Sequence, residues 1–327
     1  MSTDPVRNYG LIGAGQSGYA HIRALTKLVG ARLVAVSEPD TDALNETLAV
    51  LRGSPFKPAI YSDWREMISG TELDAVIVAT TSDSDFEILT EMMALPLAIF
   101  VEVPLCETLK EAKQVAKLAV KRGGVIQVGF DFRTLPSVTG FVERLHAGQV
   151  GTPHMMSICA SGLANPDMAI DFRSSNDQGA TLNDLCGPYL DLMRWAMRDE
   201  PVRVFASAGH TTAPARKRKD KKAPRLFDNA VLTLEFSRGG RAQLNVALFG
   251  DPSITISATG GGGSANTAIP TQGVSEDDAA IVHSLRSFEH AITASEPAVV
   301  GVADGLRAIE IGLAAQQSAV SGKVVSI

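Results

Sequence analysis

Through the first third of the chain, short apolar blocks alternate with stretches whose apolar residues fall at helical spacing. Tyr9-Gly10-Leu11-Ile12, Leu33-Val34-Ala35-Val36, Leu73 to Ala79, Leu97 to Val101 and Val125 to Gly129 read as buried strands. Between them, Tyr19 to Val29 places Ile22, Leu25, Leu28 and Val29 on one helical face, and Asp40 to Arg52, Asp63 to Ile68, Asp85 to Ala94 and Glu107 to Arg122 also predict helices. A turn is expected near Pro55 to Pro58. Strands alternating with helices predict a parallel sheet that takes its ligands at the carboxyl ends of the strands. Glu38, Thr80 to Ser82, Glu102 to Pro104 and Phe130 to Arg133 all fall at those ends.

From about Gly151 the pattern changes. His154 to Ala160, Val202 to Ala208, Ala230 to Phe236, Arg241 to Leu248 and Ser253 to Ala258 alternate as strands of an antiparallel sheet covered on one face. Helices are expected over 180–197, 275–294 and 302–321, and Gly260 to Gly263 reads as a flexible turn. That glycine run is no phosphate loop, because neither a lysine nor a helix start follows at the needed spacing. The pattern divides the chain into domains 1–130 and 131–327, although a C-terminal helix packing back on the first domain would make the boundary more than a single cut.

The turn after the first strand reads Gly13-Ala14-Gly15-Gln16-Ser17-Gly18. Glycines there let backbone N–H groups approach a pyrophosphate at a helix N-terminus, where the dipole and unpaired donors favour an anion. The second strand ends at Ser37-Glu38, twenty residues after Gly18, where a carboxylate can accept hydrogen bonds from a ribose diol. Glu38 would repel a 2′-phosphate and no arginine follows closely, so NAD is favoured over NADP, with NADP still open.

Composition narrows the classes further. A chain of 327 residues is long enough for two cored domains. No stretch approaches twenty uninterrupted apolar residues and Met1 to Asn8 is polar, so the expectation is a cytoplasmic protein with neither membrane span nor secretion. Cys106, Cys159 and Cys186 are too scattered for a disulfide framework or a zinc site. The net charge of −6 gives no general reason to bind nucleic acid. Pro214 to Arg225 is locally basic, but no aromatic residues interleave to stack bases, and a solvated loop is the better reading.

Taken together, the chain resembles the Gfo/Idh/MocA family of oxidoreductases. The resemblance rests on the glycine turn, on Thr80-Thr81 where the family has Thr-Pro, and on Val101-Glu102-Val103-Pro104-Leu105 where it has Glu-Lys-Pro. Val128-Gly129-Phe130 with Arg133 and Pro136, Gly148 to Gly151, Asp184 to Asp191 and Ser318 to Val324 add to it. It implies an α/β fold, with an N-terminal Rossmann dinucleotide-binding domain and a C-terminal α/β domain whose open, mostly antiparallel sheet often makes oligomer contacts. It also implies NAD(P)-dependent redox chemistry on sugars, inositols or related small molecules, and a homodimer or homotetramer. The cofactor-binding candidates are then Gly13, Gly15, Gln16, Ser17, Gly18, Glu38, Thr80, Thr81, Glu102, Val103 and Arg133.

The departures bear on mechanism. The family's lysine near nicotinamide and substrate is Val103, and the histidine of its Asp-x-Gly-x-His-x-x-Asp segment is Pro188, while Asp184 and Asp191 match. A histidine common after Thr-Pro is Asp85. Neither valine nor proline accepts the proton that must leave an alcohol as hydride departs. Ionising an alcohol of pKa about 16 at neutral pH costs roughly 12 kcal/mol without help. Asp184, Asp191 and Tyr189 are the local acid/base candidates, against structural roles for Asp191 and packing for Tyr189. Arg133 suits a substrate carboxylate or cofactor phosphate, and equally a salt bridge between domains. His21 is read as packing or solvated, with an approach to the cofactor as its functional alternative. An oxidoreductase with a non-standard acid/base, acting on a sugar-like, lactol or imine-type small molecule, leads these readings. A catalytically inactive nucleotide or metabolite sensor follows, and NAD-dependent non-redox chemistry stands third.

Overall fold

The computed structural model describes residues 6–80, 82–164, 181–212, 226–271 and 279–327. They form two compact units, one of residues 1–131 with 275–306 and one of 132–274 with 307–327.

The first unit is built on a six-stranded sheet of β1 (Arg7–Ile12), β2 (Ala31–Ser37), β3 (Ala59–Tyr61), β4 (Ala75–Val78), β5 (Ala98–Val101) and β6 (Ile126–Val128). The order is β3-β2-β1-β4-β5-β6 and every pairing is parallel. Crossovers through α1 (Gln16–Leu25), α2 (Thr41–Arg52), α3 (Trp64–Gly70), α4 (Ser82–Met92) and α5 (Leu109–Arg122) explain the strand composition. A sheet covered on both faces needs apolar residues without alternation, and β4, Ala-Val-Ile-Val, is buried at all four positions. The helices start where the chain supplies caps. Asp40 accepts the Asp42 and Ala43 N–H groups ahead of α2, and Thr108 with Glu111 forms a reciprocal capping box at α5. Strand β3 has no counterpart in the hydrophobic pattern, because its three residues are too few and too exposed to show a period.

The helix α8 (Ala280–Ala294) also belongs to this unit, together with the first residues of α9 (Val302–Ser321). Val282, Leu285 and Phe288 of α8 enter the core formed by Tyr9, Leu11, Ile22 and Phe100. The Phe288 ring meets Phe100 edge-on at 5.7 Å and Tyr9 at 6.4 Å between centroids. Arg7 and Tyr9 both bond Glu289, the next residue of the same helix. The segment that returns to the first unit is therefore mainly α8, which a single cut after residue 130 leaves in the second.

The second unit is built on a seven-stranded sheet of β7 (Pro153–Ser161), β8 (Pro201–Gly209), β9 (Asn229–Phe236), β10 (Arg241–Ala247), β11 (Ser253–Gly260), β12 (Gly263–Ile269) and β13 (Val325–Ser326). Its order is β12-β11-β7-β10-β9-β8-β13, parallel only between β7 and β10. α6 (Pro136–His146) packs on β12 and α7 (Leu182–Met197) on β7 and β10. Burial alternates along β9 and β11, and Met155, Phe205 and Val231 are exposed. Residues Gly260 to Gly263, expected as a flexible turn, close a hairpin whose second strand, β12, the pattern did not reveal. Helix α7 opens on a capping box of Thr181 and Asp184 and contains Pro188, which lacks the N–H that would bond the Asp184 carbonyl. The basic stretch Pro214 to Arg225 and Thr81 lie outside the described residues. Among the described residues, no helix is long and apolar enough to cross a membrane.

Candidate cofactor site and acid/base residues

In the first unit, the parallel sheet puts the carboxyl ends of β1, β2, β4, β5 and β6 on one edge. Gly13 leaves β1 at φ 85° and its N–H donates to Ser37 O at 2.9 Å. A Cβ on Gly13 would lie 2.6 Å from Ala79 O, and one on Gly18 would lie 2.6 Å from Gly13 O. The turn can therefore close against β4 and receive α1 only as glycine. Gly15 differs: a Cβ there would meet no atom within 4 Å, and it caps α1 without any side-chain hydrogen bond. Gly15 thus leaves room beside the start of α1, where the first backbone N–H groups of a helix have no intrahelical partners, a cradle suited to a pyrophosphate. Gln16 is exposed at that helix start, while Ser17 and Gly18 are buried.

Glu38 stands just beyond β2, 9% exposed, with Oε2 accepting Ala14 N–H at 2.7 Å and Oε1 accepting Asp40 N–H at 2.9 Å. Thr80 follows β4, and its hydroxyl donates to the buried Asp85 carboxylate. Burial first, then the charge of Asp85, pushes the neighbouring Cys106 thiol up to about 12. Glu102 follows β5, its N–H bonded to Val78 O at 3.0 Å, and the Val103–Pro104 peptide is cis. The Glu102 side chain turns to α1, where Oε1 lies 2.6 Å from His21 Nε2.

The second unit holds the remaining candidates. Arg133 Nε and Nη2 donate to Asp191 Oδ2 and Oδ1 at 2.8 and 2.6 Å, and Arg194 Nη1 lies 3.6 Å from the same carboxylate. Arg194 in turn grips Glu200 at 2.9 and 2.6 Å, and Arg307 Nε bonds Glu200 at 3.1 Å. Asp191 is thus a buried carboxylate paired with guanidinium groups. Arg133 and Asp191 both belong to the second unit. Tyr189 is 2% exposed with its ring 5.3 Å from that of Phe132, and burial pushes its phenol well above the ordinary value. Asp184 is half-buried at the start of α7, where Oδ2 accepts Thr181 N–H at 3.1 Å and its hydroxyl at 2.6 Å.

Two further groups emerge that pattern alone undervalued. His21 is wholly buried on Glu102, and its signal was spacing: Gly18, His21, Ile22 and Leu25 share the inward face of α1. His146 of α6 bonds Trp195 O at 3.1 Å through Nε2.

Residues 7–130 match the family model described as an oxidoreductase family with an NAD-binding Rossmann fold, and residues 141–266 match the GFO/IDH/MocA C-terminal domain. An uncharacterized oxidoreductase of Bacillus subtilis is 25% identical over 97% of this chain and 96% of its own length. An inositol 2-dehydrogenase/D-chiro-inositol 3-dehydrogenase of Lacticaseibacillus casei is 30% identical over 72% of this chain, which spans 64% of that protein. In fold, the chain is similar to myo-inositol dehydrogenase from Lactobacillus casei in complex with NAD(H) and myo-inositol, with TM-score 0.82, 24% identity and coverage of 98% and 97%. The glycine cradle, the strand order and both matched domains lead to one conclusion: the chain belongs to the Gfo/Idh/MocA family and is an NAD-binding oxidoreductase.

Proposed function

We propose that the protein transfers hydride between NAD and a small sugar-like polyol, lactol or imine-type substrate, with Asp184 as the acid/base. The observation that carries this is the pairing of an intact cofactor cradle with Val103 and Pro188 at the family's two proton-transfer positions. Bound NAD supplies the hydride acceptor or donor at its nicotinamide ring. The protein has then to hold the cofactor and manage a proton. Gly13, Gly15, Gln16, Ser17 and Gly18 would take the pyrophosphate, Glu38 the adenosine ribose, and Thr80, Thr81, Glu102 and Val103 the second mononucleotide half.

Among the three acid/base candidates, Asp191 is committed to Arg133 and Arg194, and Tyr189 is held neutral by burial. Asp184 is half-buried at the start of α7 and accepts the Thr181 N–H and hydroxyl, and it matches the carboxylate of the family's proton-transfer segment, so it is the candidate we assign the proton. Relatives bearing inositol dehydrogenase names favour a cyclic polyol or a related sugar. A lactol hydroxyl or an imine lowers the demand on the base. The exposed face of the second unit's sheet supports assembly as a homodimer or homotetramer.

The test is turnover of NAD or NADH with polyols, lactols and imines, in wild type and Asp184→Asn. A fall of roughly 10²- to 10⁴-fold in Asp184→Asn, with NADH affinity retained, is expected. Undiminished turnover in that variant would remove Asp184 as the base. Val103 and Pro188 together also favour a second reading, a nucleotide or metabolite sensor, whose signature is tight NADH binding without turnover on any substrate class.

A further inference from the structure

Buried inside the first unit, a histidine and a glutamate join two elements that handle opposite halves of a dinucleotide. His21 comes from α1, whose N-terminus forms the pyrophosphate cradle, and is 0% exposed. Glu102 leaves β5, which lies in the β4-β5-β6 half of the sheet that serves the second mononucleotide. His21 Nε2 stands 2.6 Å from Glu102 Oε1, and the Phe100 ring packs edge-on to the imidazole at 5.1 Å. Glu102 Oε2 lies over the backbone at the end of β6, so close that a Cβ on Gly129 would be 3.1 Å away. The carboxylate is therefore wedged between α1 and β6, and its own backbone leads directly into Val103.

The remaining ring nitrogen is informative. His21 Nδ1 is buried and has no hydrogen-bond partner among the described residues. Leaving a buried polar atom unmatched is costly, and apolar residues fill such positions more cheaply when no polar task is served. One nitrogen of His21 is thus sacrificed while the other makes a short bond to a carboxylate, among the stronger contacts a neutral or charged imidazole can form.

We infer that His21 is a positioning residue for the nicotinamide half of the cofactor: by bonding Glu102 through Nε2 it fixes the backbone of 102–104 relative to α1. The inference rests on NAD occupying the glycine cradle. Glu102 to Pro104 follow β5, in the half of the sheet that serves the second mononucleotide, so the effect of the pair falls on ligands that reach past β4.

The experiment compares binding of NADH and of ADP-ribose, which lacks the nicotinamide, to wild type, His21→Gln and His21→Asn, with melting temperatures alongside. A glutamine amide ends near the Nε2 position and keeps the bond to Glu102, whereas asparagine ends near Nδ1 and loses it. Expected is a loss of roughly ten- to hundredfold in NADH affinity for His21→Asn, unchanged ADP-ribose affinity, and recovery of most NADH affinity in His21→Gln. Equal losses for both ligands, unchanged NADH affinity in a folded His21→Asn, or no advantage of glutamine over asparagine would overturn the inference. If His21→Asn fails to fold, His21→Leu, which keeps most of the buried volume and loses the bond, takes its place, with the same split between NADH and ADP-ribose expected and the same outcomes overturning the inference. Wild type binding neither ligand would instead overturn the cofactor assignment.

Discussion

The carboxylate of Glu38 accepts the N–H of Ala14 at 2.7 Å, tying the end of β2 to the glycine turn. Its other oxygen takes the Asp40 N–H, so both oxygens are held by backbone donors. A carboxylate placed there to face the adenosine ribose, as proposed, would favour a free 2′-hydroxyl and oppose a 2′-phosphate. Wild type should bind NADH more tightly than NADPH. In Glu38→Ser, NADH affinity should fall roughly tenfold and the discrimination should narrow, as read by nicotinamide fluorescence titration. An unchanged ratio of the two affinities would show that Glu38 does not face the ribose.

The glycines of the turn separate binding from folding. Gly15 has φ −76° and open space where a Cβ would sit, so alanine there adds a methyl group to the cradle without straining the backbone. Gly15→Ala should keep the wild-type melting temperature within a few degrees and lose NADH affinity. Gly18→Ala would force its Cβ onto Gly13 O, so it should lower stability and affinity together. Thermal melts with and without NADH distinguish the two. A destabilised Gly15→Ala protein, or a stable Gly18→Ala protein, would contradict this division.

Asp191 is 1% exposed and bound twice by Arg133. Removing one partner of a buried ion pair leaves an uncompensated charge, so Asp191→Ala should cost about 3–5 kcal/mol in denaturant unfolding. Replacing both partners with apolar residues, as in Arg133→Met with Asp191→Leu, should recover most of that loss. A role for Asp191 in proton transfer would show the opposite signature, lost turnover in Asp191→Asn at wild-type stability.

These tests divide along the line between what was legible in the sequence and what was not. Gly13, Gly15, Gly18 and Glu38 were legible because a strand, a turn, a helix and a second strand follow one another, and their spacing is local. The partner of Arg133 lies 58 residues away and that of His21 lies 81 residues away. No periodicity records such pairings, since each side chain needs only to be polar on an inward face. The hairpin strand β12 escaped for a related reason: Gly263-Ser264-Ala265-Asn266-Thr267-Ala268-Ile269 carries too few large apolar residues to alternate visibly. Helix α8 was legible as a helix, while its place in the first unit depended on where Phe288 finds Phe100 and Tyr9.

The second unit contains a carboxylate whose contribution should be visible in the pH dependence of stability. Desolvation pushes Asp228 upward, but the Thr212 N–H and hydroxyl, the Thr211 N–H and the Asn229 amide outweigh it and pull its pKa from 3.8 to about 2. Those donors approach at 2.7–2.9 Å. Because the folded value lies below the unfolded one, the unfolded chain takes up the proton first as the pH falls. The stabilisation, about 2 kcal/mol by the size of the shift, is complete above the unfolded value of 3.8 and is lost as the pH falls towards about 2. Asp228→Asn should therefore lower stability at neutral pH and flatten the decline in the acid range, measured by denaturant unfolding from pH about 6 down to about 2.5. If wild type and Asp228→Asn lose stability in parallel across that range, the Thr211–Thr212 donors do not hold the carboxylate ionised, and its retention at 3% exposure needs another cause.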